Sequence, residues 1–266
     1  MEVFSISILL ISFLLLLSIG TPVAWSIIIS SLFTLFVSVP FLPALTTISQ
    51  RMATGIDSFA LLAIPFFILS GELMNSGGVA HRLVAFAKTL VGFLPGGLAL
   101  INIISAMLMG SVAGSAMASA SAMGSILGPE MEKEGYSRGF GVAINITSAT
   151  TGLVIPPSNI LIVYSLASGG ASIAALFLAG YIPGILTGLF LMIVAMLWAK
   201  KKNFKTGKRE PLKKVLNSFV RAFPSLMLLI VVIGGIVSGV FTATEASAIA
   251  VIYTLVLGFF WLLEIL

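Results

Sequence analysis

Long apolar segments separated by short polar stretches set the pattern of this 266-residue chain. A helix needs about 20 apolar residues to cross the hydrocarbon core of a bilayer. Segments of that scale lie at 4–20, 22–39, 58–74, 139–165, 173–199, 222–240 and 245–264. The pattern therefore predicts an all-α polytopic membrane protein in which these seven segments are the spans.

The composition excludes a soluble domain. Charged residues make up 9% of the chain and the residues AVILMFWYC make up 59%, whereas a soluble domain carries about 25% charged residues. The chain has no cysteine, so disulfides and cysteine-based metal or catalytic sites are excluded as well.

The segment 97–127 departs from the pattern of simple spans. It is long enough for two short helices but not for two full crossings, and its centre reads GSVAGSAMASASAMGS. Such a glycine- and serine-rich stretch makes a poor lipid-facing helix, but it suits a turn that is buried in protein. We therefore expect a re-entrant hairpin that enters and leaves the membrane on the same side.

The basic residues support this topology. Nine of the fourteen Lys and Arg residues lie in 200–221. With a re-entrant hairpin, thirteen of the fourteen fall on one side of the membrane and Arg51 alone falls on the other. The positive-inside rule then makes the 200–221 side cytoplasmic and the N-terminus periplasmic. The net charge of +5 thus reflects membrane topology and not nucleic-acid binding.

A weak internal repeat links the two ends of the chain. The sequence GTPVAWSI around Thr21 is similar to TATEASAI from Thr242. Five predicted crossings separate the two copies, so the second unit would enter the membrane from the opposite side, as in inverted-repeat transporters. The second copy stops after two helices. We therefore expect the chain to be the first three-fifths of a longer protein, and we expect these residues not to transport alone.

Three local sequence features are interpreted as having a structural role and not a role in binding. Segment 78–94 has an apolar and a polar face, which predicts an amphipathic helix lying in the membrane interface. Glu245 follows Thr242 at the spacing of a capping box and opens the last helix. Asp57 is expected to be the N-cap of the 58–74 helix.

A second irregular stretch reads NITSATTGLVIPPSN, from Asn145 to Asn159. Pro156 and Pro157 remove two backbone donors and disrupt the helix. A helix that is broken at membrane depth persists only where it is buried in protein or lines a cavity. Segment 139–165 is therefore predicted to be a broken helix.

The hairpin centre and the broken helix offer many neutral oxygens and almost no carboxylates. Hard cations such as Na⁺ favour oxygen ligands, and an anionic group favours the N-termini of half-helices. These residues thus favour joint binding of Na⁺ and a carboxylate over a proton relay. Small residues can also serve only to let helices pack closely, and we favour that interpretation for Ser105 and Ser125.

Catalysis has little support in the sequence. There is no H-E-x-x-H motif and no pair of carboxylates, and His81 lies on the amphipathic helix without a plausible nucleophile beside it. We therefore expect a protein that is not an enzyme.

The hairpin sequence GSVAGSAMASASAMGS, the following EMEKEGYSRGFGVAINITSATTGLVIPPSN and the later TATEASAI resemble the large membrane subunit of tripartite ATP-independent periplasmic (TRAP) transporters. The resemblance extends over the whole chain and is strongest in 108–170. It implies a sodium-coupled secondary transporter in a bacterial inner membrane. Such a transporter imports an organic acid, of the sialic acid or C4-dicarboxylate class, that a periplasmic binding protein delivers. A small membrane subunit is the second implied partner, and Na⁺ acts as the coupling ion with no other cofactor.

The resemblance also implies an inverted-repeat elevator mechanism and a division of the chain. Residues 1–75 would be scaffold helices, 76–96 an interfacial arm helix and 97–172 half of the transport domain. A helix and basic loop would follow at 173–221, and 222–266 would begin the second repeat. The residues that match the first sodium site of the family are Gly110, Ser111, Gly114, Ser115, Thr151, Gly152 and Pro156. We assign substrate contacts to Ser119, Asn145, Ser148, Pro157, Ser158 and Asn159.

One position departs from the family pattern, and two alternatives stay open. Many relatives have an acidic residue where this chain has Ser119, so a charge-based role is not expected there. One alternative is a dicarboxylate/sodium symporter that needs no binding protein. Those proteins typically show S-N-T at the hairpin tip, where this chain reads G-S-V-A-G-S. The other alternative is an assembly subunit whose polar breaks only pack helices.

Overall fold

The computed structural model describes residues 2–202, 204, 206–207 and 209–265, and it describes their side chains except for residue 2 and residues 260–265. These residues form α-helices and one short 3-10 turn, with no β-strand in the described part of the chain. The all-helical polytopic fold is thereby confirmed. Lys205 and Lys208 of the basic loop lie outside the described residues.

The chain divides by its internal contacts into two compact units, Met1–Ser58 and Phe59–Leu266. The first unit contains α1 Glu2–Ser18, α2 Val23–Ser38 and α3 Phe41–Ile56. A polar turn joins α1 to α2, where the Thr21 hydroxyl donates to the Leu16 carbonyl at 2.6 Å and lies 2.7 Å from the Ser26 hydroxyl. These bonds satisfy polar groups that lipid cannot satisfy.

The second unit begins with the 3-10 turn Phe59–Leu62 and then contains ten helices in its described part. They are α4 Ala63–Ser76, α5 Val79–Val91, α6 Gly97–Ala113, α7 Ala116–Lys133, α8 Arg138–Ala149, α9 Thr151–Val154, α10 Asn159–Ala167, α11 Ile173–Lys201, α12 Leu212–Val237 and α13 Ala243–Ile265. The α4 helix packs along α13, and α6 packs against α5, α7, α8, α9 and α11. The core of this unit therefore lies around the α6–α7 hairpin.

Three described stretches are long and apolar enough to cross a membrane by themselves, Phe59–Ser76, Ile173–Lys201 and Leu212–Val237. The bent pair Arg138–Val154 and Asn159–Ala167 would make a fourth span. The α1 helix has 17 residues, at the short end of the range for a span of about 17 to 25 residues, and α2 has 16, just below that range. The helix expected at 222–240 begins ten residues earlier, at Leu212, because the lysine-rich turn before the apolar run is itself helical.

The predicted amphipathic helix is α5, but its apolar face is covered by protein and not by lipid. Val79, Leu83 and Ala87 are fully buried against the α6 and α12 helices. The ring of Phe86 on this helix lies 5.6 Å from that of Phe219 on α12. The face that sequence reasoning assigned to the interface thus joins the hairpin to α12.

Aromatic rings close the end of the hairpin that is remote from its tip. Tyr136 stacks on Phe204 with ring centroids 4.1 Å apart, and Phe140 stacks on Trp198 at 3.7 Å. Burial, with a smaller contribution from the charge of Glu134, raises the pKa of Tyr136 to about 12. This phenol therefore stays protonated at physiological pH, and the cluster ties the α7–α8 loop to the end of α11.

The two expected caps have different outcomes. Glu245 accepts hydrogen bonds from the backbone and hydroxyl of Thr242, both at 2.8 Å, so the capping box at the start of α13 is confirmed. The expectation for Asp57 was wrong, because this residue ends α3 and α4 begins only at Ala63, after the 3-10 turn.

Candidate functional site

The tip of the α6–α7 hairpin is a turn of two residues, Gly114 and Ser115. Gly114 has φ +59°, a left-handed conformation that glycine adopts without strain, and its N–H donates to the Gly110 carbonyl at 2.8 Å. The Ser115 hydroxyl accepts from the Ala118 N–H at 3.4 Å and caps α7. The sequence folds sharply here because one glycine ends α6 and one serine begins α7.

The predicted broken helix is confirmed. The α8 and α9 helices run to Val154, the backbone leaves the helical path over Ile155–Ser158, and α10 resumes with a bend of 52°. Pro156 and Pro157 lie within the break, where they have no N–H to donate. The Ser158 hydroxyl donates to the Leu153 carbonyl and accepts from the Leu161 N–H, so it bridges the two half-helices.

The hairpin tip lies directly on this break. A Cβ placed on Gly110 would be 2.3 Å from the Cα of Gly152, and a Cβ on Gly152 would be 2.4 Å from the Cα of Gly110. A Cβ on Gly114 would lie 3.0 Å from the Pro157 carbonyl oxygen. The two segments thus touch backbone to backbone. We call this contact region, Gly110–Ser115 with Thr151–Asn159, the junction.

Two glycine contacts outside the predicted site hold the junction in place. On α11, a Cβ on Gly180 would be 2.4 Å from the Val154 carbonyl oxygen, and a Cβ on Gly184 would be 2.4 Å from Ile155 Cγ1. This surface was not predicted, although the run GYIPGILTG shows glycines four residues apart on one helical face.

The third supporting element is α4. A Cβ on Gly71 would lie 2.7 Å from the Cα of Ala113, the last residue of α6. Sequence reasoning missed this contact too, because a single glycine in an apolar helix does not reveal its neighbour.

Two hydroxyls of the predicted sodium set are buried at the junction. The Ser111 hydroxyl donates to the Leu108 carbonyl at 2.8 Å, and the Thr151 hydroxyl donates to the Ser148 carbonyl at 2.6 Å. The two residues are 3% and 1% exposed. A hydroxyl that donates its proton keeps lone pairs to offer a cation.

Asn159 provides a further oxygen at the same place. Its Oδ1 atom is buried and has no hydrogen-bond partner among the described residues. Its Nδ2 atom would lie 3.4 Å from a Cβ on Gly114, so the amide is beside the hairpin tip. A buried acceptor without a donor is destabilising unless another group, such as a cation, satisfies it.

Three residues of the predicted substrate set lie elsewhere, in contacts between helices. The Ser119 hydroxyl donates to the Ala106 carbonyl at 3.1 Å, within the hairpin. The Asn145 amide donates to the Ala120 carbonyl at 2.7 Å, which joins α8 to α7.

The third of these residues, Ser148, donates to the Asn102 side chain at 3.0 Å and joins α8 to α6. Asn102 was missed because it stands alone in an apolar run. The structure therefore brings Pro157, Ser158 and Asn159 to the junction with the sodium set, and it places the other three in the interface of α6, α7 and α8.

The donor set suits a monovalent hard cation. In the part of the chain that the structure describes, no three His, Asp or Glu residues come together. An ion at the junction would therefore be held by hydroxyl, amide and backbone oxygens. Neutral oxygens of this kind, with freed backbone carbonyls at the ends of half-helices, are the ligands that Na⁺ meets in discontinuous-helix transporters.

Comparison with known proteins gives a consistent result. The family model described as "Tripartite ATP-independent periplasmic transporter, DctM component" matches residues 10–264. The chain is 54% identical over 256 residues to the uncharacterized protein YgiK of Salmonella typhimurium, which covers 96% of this chain and 59% of that protein.

Two named permeases are also similar. The sialic acid TRAP transporter large permease protein SiaM of Vibrio cholerae is 39% identical over 248 residues, 91% of this chain and 56% of that protein. The C4-dicarboxylate TRAP transporter large permease protein DctM of Pseudomonas aeruginosa is 38% identical over 204 residues, 77% of this chain and 48% of that protein.

The chain thus spans about half to three-fifths of the length of these relatives. Its matched family consists of transporter components and not of enzymes, in agreement with the expectation from the sequence. The helical hairpin on a broken helix and the match over residues 10–264 lead to the same assignment: the chain belongs to the DctM family of large TRAP transporter permeases.

Proposed function

We propose that the chain is part of a sodium-coupled importer of an organic acid, which a periplasmic binding protein delivers and which an elevator motion carries across the bacterial inner membrane. A small membrane subunit completes the transporter. The named relatives support this proposal, since they are TRAP permeases for sialic acid and for C4-dicarboxylates. Both compounds are carboxylates, so we propose a carboxylate substrate without choosing between them.

The observation that carries the proposal is the meeting of four helix ends at the junction. The C-terminal ends of α6 and α9, at Ala113 and Val154, bring carbonyl groups there. The N-terminal ends of α7 and α10, at Ala116 and Asn159, bring N–H groups. Carbonyl ends favour a cation and N–H ends favour an anion. One junction thus offers complementary partners to Na⁺ and to a carboxylate.

Ser111, Thr151 and the Asn159 side-chain oxygen are the proposed cation ligands. All three oxygens lack a formal charge, which suits a coupling ion that must also leave the site. The first N–H groups of α10 are the proposed contacts to the carboxylate, and the Ser158 hydroxyl, whose proton goes to the Leu153 carbonyl, caps this end of the helix. The close contact between Gly110 and Gly152 keeps the two segments together while the site moves.

The hairpin dimensions support re-entry from one side. The α6 helix has 17 residues and α7 has 18, so they are about 25 and 27 Å long at 1.5 Å per residue. Both are shorter than the hydrocarbon core, which is about 30 Å thick. A tip that ends within the membrane places the junction at membrane depth.

The direct test is a chimera in which residues 10–264 replace the matched part of the Vibrio cholerae relative, reconstituted in proteoliposomes with the small subunit and the binding protein of that relative. We expect uptake of labelled sialic acid that needs both the binding protein and external Na⁺. Uptake of free substrate without the binding protein would contradict the proposal and favour the dicarboxylate/sodium symporter. Uptake that is equal in Na⁺ and K⁺ would contradict sodium coupling.

A further inference from the structure

The α12 helix is longer than a membrane span requires. Its 26 residues extend about 39 Å at 1.5 Å per residue, whereas the hydrocarbon core is about 30 Å thick. Its charged residues, Lys213, Lys214 and Arg221, all lie in the first ten positions, and none follows between Ala222 and Val237. The excess length is therefore at the N-terminal end, at the depth of the lipid headgroups.

This end of α12 has three different faces. Ala222 is fully buried and Phe219 packs against Phe86, so one face belongs to the protein. Leu212, Leu216 and Val220 repeat every four residues and are 82%, 61% and 58% exposed, which makes a second, apolar face.

The third face is polar and basic. Lys213, Asn217 and Arg221 repeat at the same four-residue spacing and are all exposed. Lys214 is paired with Glu210 at 2.7 Å, whereas Lys213 and Arg221 have no ion pair among the described residues. Two free cationic groups therefore stand next to an exposed apolar stripe.

Three further cationic groups lie in the segment that leads to this helix. Lys200 and Lys201 end α11 and Lys202 follows, and all three are exposed. The chain from Lys200 to Arg221 carries nine of the fourteen Lys and Arg residues. Clusters of this size beside a membrane span attract anionic lipid, and each basic residue near the surface contributes about a factor of five in affinity.

We propose that the first three turns of α12, with Lys213 and Arg221 as phosphate contacts and with Lys200–Lys202 in the segment that leads to this helix, form a binding surface for anionic phospholipid headgroups. Leu212, Leu216 and Val220 lie against the adjoining acyl chains. A lipid fits both faces at once, because it joins an anionic headgroup to an apolar tail. The surface is independent of the proposed transport function, since it lies on α11 and α12, away from the junction.

The test measures energy transfer from tryptophan to dansyl-labelled lipids added to the detergent-solubilised chain. Trp198, in the last turn of α11, is a donor at the same end of the molecule. We expect tighter binding of dansyl-phosphatidylglycerol than of dansyl-phosphatidylcholine. The double substitution Lys213→Gln and Arg221→Gln should weaken phosphatidylglycerol binding about 25-fold and leave phosphatidylcholine binding unchanged.

The matched control is Lys133→Gln with Arg138→Gln, which changes the net charge equally at the α7–α8 loop. We expect this variant to bind phosphatidylglycerol as the native chain does, and both variants to elute from a sizing column as the native chain does. Equal affinity for the two lipids in the native chain would overturn the proposal, as would equal losses in both variants. Displacement of the lipid by inorganic phosphate, beyond that by chloride at the same ionic strength, would instead indicate a site for free phosphate and would also overturn it.

Discussion

At the scale of single residues, glycine decides whether the junction can form. Gly110 and Gly152 approach so closely that a methyl group on either would meet the backbone of the other. Backbone cannot move aside as a flexible side chain can, and overpacking of this kind destabilises by about 1–3 kcal/mol or more. The same contact controls the position of the oxygens beside it, so loss of packing there also disturbs the proposed ion site.

We therefore expect Gly152→Ala to lower the melting temperature of the purified chain by several degrees, measured by differential scanning fluorimetry in detergent. The matched control is Gly234→Ala in α12, where a Cβ would meet nothing within 4 Å. That variant should be neutral or slightly more stable, because alanine favours a helix over glycine by about 1 kcal/mol. Equal effects of the two substitutions would contradict the backbone contact.

The residue types of the site could be predicted from the sequence, but their partners could not. Gly110, Gly152 and Thr151 stand in stretches that break the pattern of an apolar helix, so composition alone indicates them. Ser119 and Asn145 stand in the same stretches, yet they bond across helix interfaces. The difference depends on which way each side chain points after packing, and a local pattern holds no information on that.

Among the secondary-structure elements, the start of α6 and the end of α7, which are the ends of the hairpin remote from its tip, lie close together. Lys88 at the end of α5, Gly97 at the start of α6 and Glu134 after α7 line one cavity of about 610 Å³. Because these residues line the same cavity, the start of α6 and the end of α7 lie on the same side of the molecule. This arrangement is required by a re-entrant hairpin, and it agrees with the distribution of basic residues along the chain.

Cysteine labelling tests on which side of the membrane these two helix ends lie. The chain has no native cysteine, so single cysteines at Lys88 and Glu134, both exposed, report without background. We expect both to react with a membrane-impermeant maleimide from the cytoplasmic side only. A cysteine at Ser168, in the α10–α11 loop, is the control and should react from the periplasmic side. Labelling of the cysteines at positions 88 and 134 from opposite sides of the membrane would exclude the hairpin topology.

Most elements could be predicted from apolar length, and the exceptions have physical reasons. The break in 139–165 was visible because two prolines and a glycine stand in an apolar segment. The early start of α12 could not be predicted from apolar length, because the apolar run begins only after Lys213 and Arg221. Both residues nevertheless favour helix. The buried face of α5 was assigned to lipid because protein and lipid select the same apolar residues.

At the scale of the whole molecule, the proposed transporter needs a binding protein on the periplasmic side. On the predicted topology that face of the chain has few charges, and Arg51 on α3 is exposed. Charges at the rim of an interface mainly affect the rate of association and the register of the partners. Arg51 is therefore the residue at which a change should weaken docking without disturbing the fold.

We expect Arg51→Glu in the chimera to raise the binding-protein concentration for half-maximal uptake several-fold, with an unchanged amount of inserted protein. Lys202→Glu makes the same charge change on the opposite predicted side and should leave that concentration unaltered. The measurement is initial uptake rate against binding-protein concentration in proteoliposomes. An equal effect of the two substitutions would show that the face around Arg51 has no special part in docking.

We propose that the junction binds Na⁺ through neutral oxygens. This binding is measured by comparing the thermal stability of the purified chain in NaCl and in KCl at equal ionic strength. At ten times the dissociation constant, a bound ion stabilises the folded state by about 1.4 kcal/mol. We expect a melting temperature that is higher in Na⁺, with this difference abolished by Ser111→Ala with Thr151→Ala. Ser125→Ala, whose hydroxyl donates to the Ala122 carbonyl within α7, should retain it. Identical melting of the native chain in the two salts would contradict sodium binding, and an undiminished sodium effect in the double variant would contradict binding at the junction.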